Sequence, residues 1–494
     1  VNLIVLTLLV PLVTAALGGL GGPRWFRDTV LLGGLGLTFA LCLGLAGTFL
    51  GGTIPTVFDD ALRVDGLSAL VVVLCGFVSL LSGVYAVGYL RRNDACGLVT
   101  PRMRREFYGL IPAYVFALLF VAVSNNLGIL WIAVELTTLA SVFLVAFHNR
   151  DTSLEAAWKF LMLGSLGLGF ALLGTILLFA SGEGRLEETM TALNWTRLMA
   201  AAPQLHPFTL RLGVVFALIG YGTKAGLAPM HTWKPDAYRE APSPAGVLMA
   251  VGMLNSAMYC LIRVHLISRA AIGPDFSSGL LLALGLLSVL IAVPFILLQW
   301  NLKRLLAYSS IEHAGIIAIG VGLNAPAAAF GALLHMTYHS FAKPLAFFSA
   351  GTLAQLHHSS DLNVIGSGTL GRTPITSSLL VLAAIMVTGS PPFGLFFSEM
   401  TILKAGFFGP HWAVTSAFLA AIVVLFCGFS FQIGKLVLGP QSVDPARVFD
   451  PETMDISMGA MLVAAAVAVV SAFYLPGPLI RLIQAAADVV AGGP

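Results

Sequence analysis

The chain has 494 residues, of which 58% are Ala, Val, Ile, Leu, Met, Phe, Trp, Tyr or Cys and only 10% are charged; its mean hydropathy is +0.92. A soluble domain carries about a quarter charged residues, so a chain this apolar could not cover itself with polar surface in water and reads as a membrane protein. A net charge of +3, from 26 Lys and Arg against 23 Asp and Glu, is too small and too scattered for a nucleic-acid footprint. The five cysteines (Cys42, Cys75, Cys96, Cys260, Cys427) show no CxxC spacing, which argues against a zinc site or a disulfide framework. No Walker A motif is present, so ATP is not the expected energy source. Val1 opens straight into a hydrophobic run, as a literally translated GTG start codon or a trimmed chain would give.

Crossing the hydrocarbon core takes about 20 apolar residues. Fourteen such runs are expected, near 1–21, 29–51, 64–90, 107–124, 126–147, 156–181, 208–228, 242–268, 277–299, 304–323, 326–356, 374–404, 411–438 and 455–484. The seventh and twelfth contain proline in a polar setting, around Pro229 and around Pro391 and Pro392, and are expected to be broken helices. Proline removes the bond to the carbonyl four residues back, which frees Ala225 in one break and Val387 and Thr388 in the other. Lys224 and Glu399, at the two breaks, lie 175 residues apart. Interrupted segments at corresponding places in two halves point to an ion path. The expected division is three N-terminal helices (1–106), a five-helix unit (107–270), a second five-helix unit inserted upside down (271–440) and a last helix (441–494). Loops after odd-numbered helices carry fifteen Lys or Arg, among them Arg91, Arg92, Lys234, Arg239, Lys303 and Arg447, whereas the other loops carry five, including Arg185. This bias puts the odd-to-even loops in the cytoplasm of a prokaryote and both termini outside. The polar stretch 182–207 would then face outward, with a short helix near Gly184 to Met199.

A charge at the bilayer centre costs roughly 2.5–3.5 kcal/mol even on insertion scales, so each intramembrane ionisable group needs a reason. Asp65, at the mouth of the third helix, fits an N-cap. Glu135 sits mid-helix with no basic residue within a turn, either in a structural ion pair with another helix or as a proton-exchanging carboxylate. Lys159, near Glu155 and Trp158, is either an interfacial anchor or a partner for Glu135. Lys224 lies one residue before the freed Ala225 carbonyl. A lysine in a partly dry site can release its proton, and a carboxylate within reach would hold it, so a movable partner makes an electrostatic switch. His313 falls in the polar run Ser309 to Gly315, which is either a hydrated link or a polar helix contact. His335, His339 and Lys343, spaced four and four, stray only about 80° around a helix and form one stripe. That stripe reads as a proton wire or as hydrogen-bonded core; no metal is expected, because neither histidine has a carboxylate nearby in sequence. Glu399, beyond the second break, is either an outlet for protons or a water-exposed carboxylate near a helix end.

The run Gly222-Thr223-Lys224-Ala225-Gly226-Leu227-Ala228-Pro229 through Pro244 resembles the proton-translocating, antiporter-like membrane subunits of respiratory complex I. Glu135 in Trp131 to Leu136, the run Lys303 to Gly315, and Gly389-Ser390-Pro391-Pro392-Phe393-Gly394 through Glu399 match in the same order, so the resemblance spans about residues 60–440. The form His231-Thr232-Trp233-Lys234-Pro235-Asp236-Ala237-Tyr238 is most similar to component F of hydrogenase 4 and related subunits of membrane-bound group 4 NiFe-hydrogenases and formate hydrogenlyases. The resemblance implies an all-α polytopic fold with two inverted repeats. It implies that Glu135 pairs with Lys159 or Lys224, that Lys224 is the central proton store, and that His335, His339 and Lys343 relay protons toward Glu399. It also implies a subunit without cofactor or redox centre of its own, in the bilayer beside other membrane subunits and a peripheral redox arm. In the family's eighth helix a lysine is usual where this chain has Asn255, which removes one bridging cation or interrupts the path there. A subunit of an Mrp-type Na+/H+ antiporter and a proton-path partner of an inorganic-carbon uptake system are the alternatives.

Overall fold

In lipid every backbone N–H and C=O must be satisfied within its own segment, so the long apolar runs of this sequence fold as helices. The structure, a computed structural model, describes residues 2–183, 190–440 and 449–492. Val1, Arg185 and Arg447 lie outside the described residues, as does the 184–189 part of the expected outer helix.

The N-terminal part comprises α1 (Leu3–Leu20), α2 (Arg24–Leu50), a two-residue-per-strand hairpin of Thr56–Val57 and Leu62–Arg63, and α3 (Gly66–Ala95). There follow α4 (Pro101–Val123), α5 (Leu127–Val145), α6 (Asp151–Ala180), the short α7 (Trp195–Ala200), α8 (Pro207–Ala225), α9 (Trp233–Glu240), α10 (Ser243–Val247) and α11 (Leu254–Ile272). The rest is α12 (Asp275–Leu297), α13 (Leu302–Gly322), α14 (Pro326–Leu356), α15 (Leu362–Ile365), α16 (Pro374–Val387), α17 (Gly394–Phe408), α18 (Trp412–Leu438), α19 (Ile456–Phe473) and α20 (Gly477–Val490). Polar side chains mark several starts. Asn2, Asp65, Thr100, Asn126, Asn301 and Asp455 each accept a backbone N–H from the first turn of the helix that follows.

Among the described residues, 11 helices are long and apolar enough to cross a membrane. The fourteen expected would also need α8, α14 and the pair α16 and α17, which do not qualify on length and composition. The reason is chemical: these are the segments that carry the two breaks and the histidine stripe. The expected fourteenth run is split at Pro476, so α19 ends at Phe473 and α20 sets off separately with its Leu482, Ile483, Ala486, Ala487 and Val490 face buried. Both proline breaks are present. α8 stops at Gly226 and resumes as α9, and α16 stops at Thr388 and resumes as α17. α10 and α11 are one continuous segment, joined by a π-helical stretch at Leu248–Met253, a distortion often found where a helix carries function.

The apolar windows of the 243–272 segment and of α13 are buried along their whole length, whereas those of α1, α2 and α18 are buried over only a third and turn the rest outward. α14 is buried almost throughout. The centre of the molecule is therefore also where its intramembrane polar groups lie. Cys42, Cys75 and Cys260 are buried, and Cys96 and Cys427 are exposed.

Candidate functional site

The first break builds the first polar centre. In the last turn of α8, Lys224 turns its side chain inward and donates from Nζ to Thr138 Oγ1 on α5 at 2.9 Å, with the Phe160 ring 5.0 Å away. Glu135, one turn earlier on α5, is half-buried, and its Oε2 has no hydrogen-bond partner. No ion pair within 4 Å reaches Glu135 among the described residues. The central lysine is thus held by a hydroxyl, and the nearby carboxylate stands unpaired.

Lys159 does not pair with Glu135. It is exposed, bonded to Glu155 at 2.6 Å and to Asp236 at 3.3 Å, and Arg304 reaches the same Asp236 at 3.5 Å. Its place on the first turns of α6 puts it outside the bundle, beside an exposed Trp158, as an interfacial anchor would be.

Lys234 was counted above among loop charges, and the fold corrects this. The break carries the chain back into the protein, so Lys234 on α9 is 1% exposed. Its Nζ donates to the Ala225 carbonyl at 2.8 Å and to the Ser310 carbonyl on α13 at 3.3 Å. The carbonyl released by the break is therefore taken by the Lys234 side chain. Lys303 is likewise buried, donating to the Ala241 carbonyl at 2.9 Å. The sequence signal for Lys234 was present: it lies five residues after Pro229, in the motif that carries the resemblance.

A second centre lies between α13, α14 and α17. The run Ser309 to Gly315 is not an interruption; α13 is continuous, and its polar groups meet those of its neighbours. Lys343 donates to Ser309 Oγ at 3.0 Å and to the Leu306 carbonyl at 3.3 Å. His313 Nδ1 and His335 Nε2 are 2.9 Å apart, and His335 Nδ1 is 2.9 Å from Ser398 Oγ. The His339 ring packs on His313 with centroids 4.9 Å apart, and neither of its nitrogens has a partner. Glu399 follows Ser398 and is buried. One ligand atom each from His313, His335 and Glu399 lie within 4.8 Å of one another, so the fold brings to His335 the carboxylate that the sequence around His335 and His339 lacks. Neutral histidines and hydroxyls can pass a proton from one to the next, since each both accepts and donates, and a lysine can take one up when its amine is neutral.

Asn255 and Asp65 complete the picture. Asn255 is fully buried just after the π-helical stretch and donates from Nδ2 to Ser340 Oγ at 2.9 Å, while its Oδ1 has no partner. Asp65 caps α3 by accepting the Ser68 N–H at 2.9 Å, and it also accepts from Arg263 on α11 at 2.5 Å. Arg263 is fully buried and lies over the Trp195 ring at 4.0 Å, so α7 is tied to the core. Sequence reasoning did not reach Arg263, since its partner lies 198 residues away. Pro229, Pro391 and Pro392 are exposed.

A multi-pass helical bundle with two interrupted segments and buried files of titratable groups is the architecture of an ion-translocating membrane subunit. Residues 124–425 match the family model described as NADH:quinone oxidoreductase/Mrp antiporter, TM, and residues 56–96 match that of the complex I chain 5 N-terminus. A hydrogenase-4 component F homolog of Methylacidiphilum infernorum is 34% identical over 375 residues, 76% of this chain and 77% of that one. NADH-quinone oxidoreductase subunit N 2 of Roseiflexus castenholzii is 28% identical over 94% of this chain and 91% of its own. Among solved structures, a chain of Thermus thermophilus respiratory complex I superposes with a TM-score of 0.76 at 26% identity, covering 97% of this chain and 98% of that one. A chain of the Mrp complex from Dietzia sp. superposes with a TM-score of 0.85 at 17% identity over 99% and 97%, which speaks for the fold alone. The chain belongs to the family of antiporter-like membrane subunits found in complex I, hydrogenase-4 and Mrp-type assemblies.

Proposed function

We propose that this chain moves protons across a prokaryotic cytoplasmic membrane as one subunit of a redox-driven complex of the group 4 NiFe-hydrogenase or formate hydrogenlyase type. The observation that carries this reading is the buried cluster between α13, α14 and α17, in which Lys343 is bonded to Ser309, His313 to His335 and His335 to Ser398, with Glu399 beside the two histidines. Every member of it can exchange a proton. The 34% identity to a hydrogenase-4 component F homolog favours the hydrogenase branch over the others. The partners would be further membrane subunits and a peripheral redox arm, whose chemistry alters a charge next to this chain; the change then passes along as charged and hydrogen-bonded contacts open and close.

Within this reading, 107–270 and 271–440 act as two inverted units, each with its own break. Consecutive packing supports the division: α4, α5, α6 and α8 pack in sequence, and so do α12, α13, α14 and the α16 and α17 pair. The charge bias of the loops supports termini on the outer side. A second reading, an Mrp-type Na+/H+ antiporter subunit, is favoured by the matching family model, whose description covers Mrp antiporters as well.

The test is to purify the intact complex through a tag on this chain, identify its subunits and reconstitute it in proteoliposomes. Hydrogen-linked or formate-linked turnover should build a pH gradient, and Lys224→Ala should abolish it with electron transfer still running or slowed. No gradient from the wild type, with small Mrp-type subunits co-purifying and Na+-dependent proton exchange, would replace this reading by the second.

A further inference from the structure

The two breaks use one device. At each, the helix ends on a glycine in the left-handed region, Gly226 at φ 73° and Gly389 at φ 66°. At each, the space where a side chain would stand is filled by an ionisable group from the segment after the break. A Cβ on Gly226 would lie 2.6 Å from Lys234 Cδ, and one on Gly389 would lie 2.8 Å from the Glu399 carboxyl carbon. By geometry, then, the counterpart of Glu399 in the first break is Lys234. Lys224 stands before its break, on the other side of the glycine.

The surroundings of Lys234 are unusual for a merely structural cation. It is 1% exposed, and no carboxylate lies within ion-pair distance of it among the described residues. The acceptors it has are two carbonyls from opposite sides: Ala225, in the turn that holds Lys224, and Ser310 on α13. Ser309 Oγ, next to Ser310, holds Lys343, and one turn further along the same helix His313 opens the histidine file. Among the described residues, Lys234 is thus the one buried lysine bonded to both the Lys224 segment and the helix that carries the second centre. The alternative crossing, Asn255 to Ser340, contains no group that titrates.

We infer that Lys234 is a proton-carrying residue that joins the two halves. Its neutral amine takes a proton from the Lys224 ammonium, directly or through water, and the resulting ammonium passes a proton to the Lys343 amine. Each transfer exchanges one ammonium for one amine, so neither electrons nor a further reactant are involved. The inference rests on the proton-translocating reading above.

Lysine and arginine separate carrier from clamp. Arginine keeps a cation with donors for both carbonyls but does not deprotonate in proteins. In proteoliposomes of the intact complex, Lys234→Arg should assemble, sustain electron transfer and lose proton translocation by roughly tenfold or more. Lys234→Gln, neutral and of similar length, should lose it as well, and keeps the test open if the arginine is too bulky to assemble. Translocation within about twofold of wild type in Lys234→Arg, or in an assembled Lys234→Gln, would overturn the inference and leave Lys234 as a structural clamp. In that case the wild type still builds its gradient and Lys224→Ala still abolishes it, so the wider reading survives. A wild-type complex that builds no gradient removes both.

Discussion

His313 and His335, on neighbouring helices, are bonded ring to ring, Nδ1 to Nε2 at 2.9 Å, and His335 continues the chain to Ser398 at 2.9 Å. A histidine with both nitrogens engaged fixes its tautomer only until a proton arrives on one side, when it can release another from the far side. Replacing His335 by Phe keeps the bulk and removes both bonds. Proton translocation should fall by roughly tenfold or more. The unpaired His313 nitrogen should also cost about 1–3 kcal/mol. Gradient formation in proteoliposomes and unfolding of the detergent-purified complex measure the two effects; unchanged translocation would mean that the rings only pack.

Lys224 and Glu135 would form the other end of the proposed path, and neither is locked in an ion pair. Lys224→Ala removes the proposed proton store, and Glu135→Ala removes the unpaired carboxylate beside it. Both variants should assemble and lose coupled proton transfer, because among the described residues Lys224 loses one hydrogen bond, to the Thr138 hydroxyl. Subunit content after purification, set against the pH gradient, separates assembly from transfer.

The Asp65 and Arg263 pair should behave differently, as a structural element. Arg263 is fully buried and stacked on Trp195 and Tyr259. Breaking a buried pair by removing one partner leaves an uncompensated charge and costs about 3–5 kcal/mol. Arg263→Ala should therefore lower the yield of assembled complex and its unfolding temperature. Arg263→Met combined with Asp65→Asn removes both charges, and should recover much of that loss.

The helices, both breaks and the stripe of His335, His339 and Lys343 were legible in the sequence, because run length, proline and a spacing of four are local properties. What the sequence hid is which side chains meet. Lys159 was open to pairing with Glu135 on the strength of adjacent helices, yet its register on α6 turns it outward to Glu155 and Asp236. Lys234 read as a loop charge because a broken helix that returns into the protein looks, residue by residue, like a loop. Ser398 and Thr138, the hydroxyls that hold His335 and Lys224, carry no signal of their own; each acquires meaning only from a partner 63 or 86 residues away.

The exposed position of Lys159 gives a direct test of that correction. Lys159→Ala removes two surface ion pairs from a face that water or headgroups can solvate. Translocation and assembly should both stay within about twofold of wild type, in contrast to Lys224→Ala. A collapse of the gradient in the Lys159 variant would restore it to the path and show that its observed partners exchange during turnover.

Gly389 offers the last test, of the break itself. Its φ of 66° disfavours any residue with a side chain, and a Cβ there would press on the carboxyl carbon of Glu399 from 2.8 Å. Gly389→Ala should therefore displace the carboxylate as well as strain the turn, with a stability cost of about 1–3 kcal/mol. Two readouts separate the effects. A lowered unfolding temperature reports the backbone strain. If Glu399 is the outlet, proton translocation should drop further than the stability loss alone produces in a variant of equal cost elsewhere, such as one that opens a cavity at the buried Leu425 of α18. Equal losses in the two would leave Gly389 as a requirement of the turn and free Glu399 from any need to stand where it does.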